Sequence, residues 1–395
     1  MKPSLVWVAC LVVTAALIER MSEGGLEMPP FPYSILNLFL FLLIILAVYV
    51  WSPLAPVKQW LLKPVTSLVA ITCFLGIIIV GGFFYQLPPP SQSEWSKWGV
   101  FHMTQSWPFT TMVFLLMAIL FLVVLNRWQD RSPRIIAINI CHAGLFVIFA
   151  AMAFGSGDFT RAKMTVYQSH ATHRAFSEKG AWIETPFSLK LNQFFLEEYP
   201  PKIVLATHDM KPVGRVFPEI RLGGVYTVKE WEIAVQEYVQ YGIPQLDSYV
   251  SSMQEGAHPA AYVRITSKEN TASVEGWIAS GSSRFSPKSL DLGLYRLILS
   301  LPEPKQFLTK LFFQTDHGRV SGEADVKVNQ PLKLKGWMIY QFDYDHDKKA
   351  WSQSNELELI RDPWQSIVYT GIGLLVIGGI MALLLTRFSR KGAQI

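Results

Sequence analysis

The sequence is poor in charge and in cysteine. Of its 395 residues only 16% are charged, while half are hydrophobic. The three cysteines, Cys10, Cys73 and Cys141, lie in apolar stretches, so the long polar part of the chain has no thiol for a disulfide. No C-x-x-C and no C-x-x-C-H occurs. By its own motifs the chain is therefore neither a thioredoxin-like reductant nor a c-type haem carrier.

Other motifs with a known chemistry are also missing. The sequence has no G-x-S-x-G, no P-loop and no H-E-x-x-H. The net charge of +5 is mild, and no basic run of the kind that binds nucleic acid is present. We therefore expect no nucleic-acid partner.

What the sequence does have is long apolar runs, which predict a membrane protein with about six transmembrane α-helices. The predicted spans are approximately Ser4–Ile18, Tyr33–Trp51, Val65–Tyr85, Pro108–Val124, Pro133–Asp158 and Ile367–Leu385. The first could also be read as a signal peptide. Because no small-x-small cleavage site precedes the Glu19–Arg20 pair, we favour a retained helix.

The distribution of Lys and Arg in the short connections predicts the orientation. One set of connections holds Lys2, Lys58, Lys63, Arg127, Arg131, Arg134, Arg387, Arg390 and Lys391. The opposite set holds only Arg20 and Lys97. Both termini are therefore expected to be cytoplasmic, and residues 158–363 to lie on the other side of the membrane.

This large external region reads as β-rich. Partial alternation of apolar and polar residues recurs in segments such as FSLKLNQFF, AAYVRITS and SNELELIRD, with Gly, Pro, Asn and Asp between them. Residues 236–241 and 304–312 could be helical instead. About 200 residues suffice for one core, so we expect one β-sandwich-like domain between spans five and six.

His142 lies within the fifth span, about seven residues or roughly 10 Å from its cytoplasmic end. Asn139 and Phe146 are expected on the same helix face, one turn away on either side. Three interpretations remain open. The histidine could be neutral and hydrogen-bonded to Asn139 or to a neighbouring helix, it could belong to a proton relay, or it could be a ligand of a metal or haem. A relay normally needs several deep ionisable groups, and the spans have no other.

The remaining histidines give weaker signals. His170 and His173 form an H-x-x-H without a nearby acidic third ligand, and a structural or solvated role is the better interpretation. His102, in the loop before span four, is too far from His142 to share one iron. We expect the others on the solvated surface: His208, His258, His317 and His346. Asp343, Asp345 and Asp347 lack the Gly and Glu of an EF-hand calcium loop.

Several motifs together resemble ResB-type (CcsB-type) proteins of System II cytochrome c biogenesis. The most specific part, VNQPLKLKGWMIYQFDYD with the following DP, contributes Asn329, Pro331, Leu332, Gly336, Tyr340, Gln341, Tyr344, Asp345, Asp362 and Pro363. The stretch TPFSLKLNQFFLEEYPP contributes Pro186, Phe187, Leu191, Phe194, Tyr199 and Pro200. SWPFTTMVFLLMAIL and CHAGLFVIFAAMAFGSG resemble the second core helix and the histidine-bearing helix of that family.

The resemblance implies a domain organisation. Residues 1–62 look like an additional N-terminal transmembrane hairpin, and residues 63–157 like the family's transmembrane core. Residues 158–363 are the extracytoplasmic domain, and residues 364–395 the last helix and the cytoplasmic tail. The implied location is the inner membrane of a bacterial cell.

The resemblance also implies a function. Proteins of this type act with a CcsA-type membrane partner that carries a W-W-D segment, moving haem b outwards and assisting its attachment to the C-x-x-C-H of apocytochrome c. His142 matches the transmembrane histidine that would be an axial haem ligand, and the chain would be a non-catalytic or co-catalytic subunit. The main alternative is an assembly or scaffold protein with a β-rich external binding domain and no haem. A transporter is disfavoured, because the spans lack paired ionisable residues.

Overall fold

The computed structural model describes residues 2–22, 25–86, 95–214, 217–268 and 273–392. Residues 87–94 of the second predicted outer loop and 393–395 of the predicted tail lie outside the described residues. The chain forms two compact units. The helical unit comprises Met1–Thr160 and Arg361–Ile395, and the β unit comprises Arg161–Ile360.

Seven α-helices are described in the helical unit. They are α1 (Lys2–Ser22), α2 (Tyr33–Val50), α3 (Ala55–Leu61), α4 (Pro64–Gly82), α5 (Trp107–Asn126), α6 (Pro133–Gly155) and α7 (Gln365–Gly392). All except the short α3 are long and apolar enough to cross a membrane. The chain therefore has the make-up of a multi-pass membrane protein. The six helices match the six predicted spans. The clearest differences are that α1 continues past Ile18 to Ser22 and that α7 continues past Leu385 to Gly392.

The helices begin where the sequence provides for it. Pro64, Pro108 and Pro133 each lie in the first turn of a helix. The N–H that proline lacks would have no partner within the helix there, so no hydrogen bond is lost. At α5 the Ser106 hydroxyl accepts the Phe109 N–H at 3.4 Å, which caps the helix.

Helix α5 is central to the helical unit. In its most apolar stretch 39% of the residues are buried, against 11–22% in the other five spans. One group of α5 side chains, which includes Met112 and Leu122, packs against α1, α2 and α4. Another, including Met117, packs with α6 and Trp364. Because α5 occupies the centre, its two ends are the places where polar loop residues can meet the bundle.

Helices α6 and α7 cross at small residues. A Cβ on Gly144 would lie 2.7 Å from the Gly371 carbonyl oxygen, and one on Gly378 would lie 2.8 Å from the Ala137 carbonyl oxygen. The two backbones therefore touch only because these positions are glycine, as is common between membrane helices. Cys141 faces this crossing, with Sγ 3.8 Å from the Leu375 carbonyl oxygen. Its neighbour His142 therefore faces away from the crossing.

The β unit has sixteen strands among its described residues. They are β1 (Thr160–Tyr167), β2 (Thr172–Ser177), β3 (Trp182–Glu198), β4 (Ile203–Ala206), β5 (Val225–Val228), β6 (Trp231–Gln245), β7 (Ser248–Ser251), β8 (His258–Ser267), β9 (Ser273–Ala279), β10 (Leu290–Asp291), β11 (Arg296–Leu299), β12 (Pro304–Thr315), β13 (Val320–Lys327), β14 (Leu332–Leu334), β15 (Trp337–Tyr344) and β16 (Ser354–Arg361). The expectation of a large β-rich region is confirmed.

The helical alternatives considered for residues 236–241 and 304–312 are wrong. The first stretch lies in β6 and the second in β12. Both strands contain a β-bulge, between Val235 and Glu237 in β6 and between Pro304 and Gln306 in β12. A bulge shifts the alternation of inward and outward residues by one, which obscures the period of two in the sequence.

Eight strands form one sheet that curls back on itself. Their order is β13-β12-β3-β2-β1-β16-β15-β14. The two edge strands, β13 and β14, are consecutive in the chain and joined by a tight turn in which Asn329 has φ +61°. Lys335 and Gly336, both with positive φ, form the two-residue hairpin turn between β14 and β15. The sheet encloses a core to which nearly all its strands contribute side chains. Leu189 and Leu357 are two of the buried residues in this core.

The other strands form a separate sandwich. A five-stranded sheet (β5-β6-β8-β9, with β7 on β6) packs against a three-stranded sheet (β10-β11-β4). Ile233, Val263 and Leu297 lie in the core between them. The β unit is one compact unit, as expected, but the expectation of a single sandwich-like core is corrected. Its described residues form two large cores and a smaller cluster that includes Tyr249 and Trp277, and the term sandwich fits only the second large core.

Candidate functional site

His142 lies on α6, nine residues after the helix begins at Pro133, or about 14 Å along the axis. Counted from Pro133, His142 is two residues further along the helix than the seven expected from the sequence. The side chain is half-buried.

The hydrogen bond of His142 fixes its tautomer. Nδ1 lies 2.7 Å from the carbonyl oxygen of Ile138, one turn earlier in the same helix. A carbonyl oxygen can only accept, so Nδ1 carries the proton and donates it. In the neutral ring the lone pair is then on Nε2. Among the described residues Nε2 has no hydrogen-bond partner, and it is not enclosed.

This arrangement is typical of a ligating imidazole. Histidines that bind metals usually donate the other ring N–H to a carbonyl or carboxylate, which fixes the tautomer and the ring orientation. The predicted alternative, a hydrogen bond from His142 to Asn139 or to a neighbouring helix, is not what the structure has. The acceptor is the backbone of α6 itself.

Asn139 and Phe146 lie near His142 but do different things. Asn139 donates from Nδ2 to the Arg127 carbonyl oxygen at 3.3 Å, and so ties the start of α6 to the end of α5. Its Oδ1 is enclosed, with no partner among the described residues. Phe146 stacks on Phe121 of α5, with ring centroids 5.1 Å apart. The apolar wall next to His142 is therefore built from both helices.

The connection from α5 to α6, at the end of the helices nearer to His142, is basic. Arg127, Arg131 and Arg134 are exposed there. The Arg131 guanidinium lies over the Trp128 ring at 6.0 Å. Asp130 is the acidic residue of this connection, and hydrogen bonds from Ser132, with the charge of Arg127, hold the pKa of its carboxyl below the ordinary value. Anionic groups near His142 would meet a positive field at this end.

His102 lies at the opposite end of α5 and is engaged in a different way. Its Nε2 is 2.8 Å from Oε1 of Glu19, and both side chains are buried, with exposed fractions of 7% and 0%. The other carboxylate oxygen of Glu19 accepts the backbone N–H of Trp107 at 2.8 Å. Glu19 therefore joins the end of α1 to the first residue of α5. His102 Nδ1 is enclosed without a partner among the described residues.

The distance between the two histidines excludes a shared iron. Helix α5 has 20 residues and is about 30 Å long, and His142 lies about 14 Å along the neighbouring α6. Roughly 16 Å along the helix axis therefore separates His142 from the end of α5 at which His102 lies. Glu19 was not identified from the sequence as a functional or structural residue, because it is 83 residues away from its partner. The one sequence feature of Glu19 was its position next to Arg20 at the end of an apolar run.

A second polar contact joins three helix ends. Asp158 accepts hydrogen bonds from the Trp364 Nε1–H at 2.7 Å, the Ser34 hydroxyl at 2.8 Å and the Phe31 N–H at 2.5 Å. Desolvation raises the pKa of Asp158, but these three bonds outweigh it, and the net pKa is below the ordinary value. In the sequence, only the D-P-W segment immediately before α7 pointed to this contact.

The histidines of the β unit are dispersed. His170 stacks on Tyr167 and His173 is exposed on β2, so the H-x-x-H does not converge on one point. His346 pairs with Asp343 at 2.8 Å, and His208 donates to the Gly293 carbonyl oxygen at 2.8 Å. Across the described ranges no group of three His, Cys, Asp or Glu side chains is placed to hold a metal ion.

The expectation of a solvated His258 is wrong. Its exposed fraction is 2%, and its ring packs between Tyr249 and Phe285. Nδ1 donates to the Gly256 carbonyl oxygen at 3.0 Å. Burial lowers the pKa of His258, with a smaller contribution from the charge of Lys349. The surrounding sequence, GAHPAAYV, continues into a buried strand, and that was the available signal.

The ResB-like motif residues build structure in the β unit. Asn329 and Gly336 are turn residues with positive φ. The Gln341 side chain accepts from the Thr309 hydroxyl, which itself accepts from Asn355 Nδ2 at 2.7 Å. Tyr344 packs against Phe194 with centroids 5.2 Å apart. These motif residues therefore form turns and strands of the eight-stranded sheet.

No model of a known protein family matches the chain, and no curated protein is significantly similar to it. The resemblance to ResB-type proteins therefore depends on the motif residues alone.

Proposed function

We propose that this chain is a ResB-like subunit of a System II cytochrome c synthase, which moves haem across a bacterial inner membrane and assists its covalent attachment to apocytochrome c. The observation that carries the proposal is the state of His142. Its Nδ1–H is held by a backbone carbonyl, and its Nε2 lone pair has no hydrogen-bond partner in the described part of the chain. A free imidazole nitrogen in this state is the usual axial ligand of haem iron.

The surroundings of His142 fit haem as cargo. The stacked Phe146 and Phe121 provide an apolar wall suited to a porphyrin. The exposed Arg127, Arg131 and Arg134 provide guanidinium groups for its carboxylates at the end we assign to the cytoplasm. The second axial ligand and the W-W-D segment would come from a CcsA-type partner. Both termini are cytoplasmic in this proposal, and the β unit lies outside.

In this proposal the chain binds and orients haem, and we assign no catalytic residue. His142 supplies one axial nitrogen, and its hydrogen bond to Ile138 keeps the ring in one tautomer and orientation. The apolar helices exclude water from the cargo. The β unit would position the C-x-x-C-H segment of the apocytochrome at the external face, together with the partner.

A visible spectrum tests the proposal. The chain is co-expressed with its CcsA-type partner, purified, reduced with dithionite and compared with His142→Ala. We expect a b-type haem band in the wild type, its loss in the variant and partial recovery with added imidazole. Cys141→Ala is the matched control, because Cys141 faces α7 rather than the His142 side of α6. Equal haem content in wild type and His142→Ala would refute the ligand assignment.

A scaffold function is the second candidate, and one observation favours it. Trp182 and Phe176, opposite each other on β3 and β2, form an exposed aromatic pair with exposed fractions of 71% and 45%. Exposed aromatic pairs are common at protein interfaces. A complex that purifies intact without haem, in wild type and variant alike, would support this candidate over the first.

A further inference from the structure

The helical unit contains a cleft that the proposed haem function does not use. It lies between α1, α4 and the start of α5, is closed at one end by residues 98–106, and has a volume of about 290 Å³. Val12, Cys73 and Ile77 line its deeper part, and Trp98 and Met103 line the end near the loop. Along α4 it extends from Cys73 to Gly81, which is about 12 Å.

The shape of the cleft depends on glycine. A Cβ on Gly76 would meet no atom within 4 Å, so this position opens on to free space. The side chains around it are almost entirely apolar. A narrow apolar cleft of this length, on a helix bundle whose helices are long enough to span a bilayer, fits a segment of an acyl chain.

A guanidinium lies beside Trp98, one of the residues at the loop end of the cleft. The Arg20 guanidinium lies over the Trp98 ring, 5.0 Å from its centroid. The neighbouring acid, Glu19, is fully buried and directed at His102 and Trp107, so it does not present its charge at the surface. A guanidinium stacked on an aromatic ring at the end of a span is well placed for a phosphate.

We propose that this cleft is a binding site for one anionic phospholipid, whose acyl chain lies along α4 between Cys73 and Gly81 and whose phosphate pairs with Arg20. The apolar lining of the cleft would hold the acyl chain of the lipid, and Arg20 would bind its phosphate. The lipid would fill the space that Gly76 leaves open and would join α1 to α4 on the side that the buried core does not cover.

The test is native mass spectrometry of the full-length chain released from nanodiscs that contain phosphatidylglycerol and phosphatidylcholine in equal amounts. We expect one retained phosphatidylglycerol on the wild type. Gly76→Leu places a side chain in the cleft and should lower this occupancy at least about tenfold. Gly82→Leu is the matched control: it lies on the same helix, also meets no atom within 4 Å and does not line the cleft.

Arg20→Gln tests the headgroup separately. It should lower the preference for phosphatidylglycerol over phosphatidylcholine by about fivefold while leaving total lipid retention near the wild-type level. Equal retention of the two lipids by the wild type, or unchanged retention by Gly76→Leu, would overturn the proposal. So would a Gly76→Leu variant that keeps its lipid but loses a co-purifying membrane protein, since the cleft would then hold a partner helix.

Discussion

His142, within α6, and His102, before the start of α5, belong to the same helix bundle, and they differ in which ring nitrogen is engaged. His142 uses Nδ1 to bond its own backbone and leaves Nε2 free. His102 uses Nε2 to bond Glu19, and its Nδ1 is enclosed. The first histidine can accept a ligand without breaking any contact, while the second cannot do so without opening a buried pair.

The difference shows why burial alone does not identify a functional histidine. His102 is the more buried residue and has the carboxylate partner that often accompanies catalysis or metal binding. Its carboxylate, however, also accepts the Trp107 N–H at the start of α5, so the pair connects two helices. The half-buried His142, with only a backbone partner, has the free nitrogen.

The largest effect should come from exchanging the two histidines for alanine in turn. His142→Ala should lower haem content by at least about tenfold, with little change in thermal stability, since it loses only a bond to its own helix. His102→Ala should keep its haem per folded molecule and lose stability. Haem is measured by the pyridine haemochrome and stability by thermal unfolding in detergent. The comparison fails if His102→Ala loses haem while remaining folded.

The second prediction concerns Glu19. Glu19→Ala leaves His102 Nε2 and the Trp107 N–H buried without an acceptor, and should lower the free energy of unfolding by about 3 kcal/mol. Glu19→Gln keeps a carbonyl oxygen for one of the two donors and should cost less. The unfolding midpoints of the two variants, measured in the same detergent, check this order. Equal midpoints for both variants would mean that the carboxylate is not what joins α1 to α5.

The sequence was sufficient for what depends on neighbouring residues. The six spans follow from apolar length, and the turns at Asn329 and Gly336 follow from residues that tolerate positive φ. It was insufficient where residues distant in the chain meet. The pairing of Glu19 with His102 and the split of the β unit into two large cores depend on tertiary packing, and the bulges in β6 and β12 hide the strand period.

The sequence was enough to select His142 as a candidate residue, but not to predict its tautomer or its hydrogen bond. An isolated ionisable residue in a span is a functional signal, so His142 could be selected from the sequence. That Nδ1 donates to Ile138 depends on the side-chain rotamer, and no sequence pattern specifies it. Asn139 was predicted on the same face, yet its amide bonds the end of α5 instead.

The third prediction concerns Asn355, which bonds Thr309, the partner of Gln341 in the ResB-like motif. Asn355 is buried at 1% exposure and bonds Thr309 and Ser352. Asn355→Leu should destabilise the β unit by about 2 kcal/mol, because partners are left unpaired, without changing haem content. Asn192→Leu is the control, since its bond to Glu323 is on the surface. Resistance of the β unit to protease measures the effect, and haem loss in Asn355→Leu would tie the motif to the cargo.

The smallest effect should be the pH dependence of His258, a third histidine, which is buried in the β unit. Burial lowers the pKa of His258 below its ordinary value of 6.5, so the unfolded chain takes up the proton first as the pH falls. Stability is therefore lost as the pH falls below the pKa of the unfolded histidine, over the range from roughly pH 7.5 to 5.5. His258→Phe keeps an aromatic ring between Tyr249 and Phe285 and should lack this loss. The exposed His173→Phe should retain the wild-type dependence. Unfolding midpoints of the three proteins at the two pH values decide it, and a parallel shift of wild type and His258→Phe would show that protonation of His258 is not opposed by its burial.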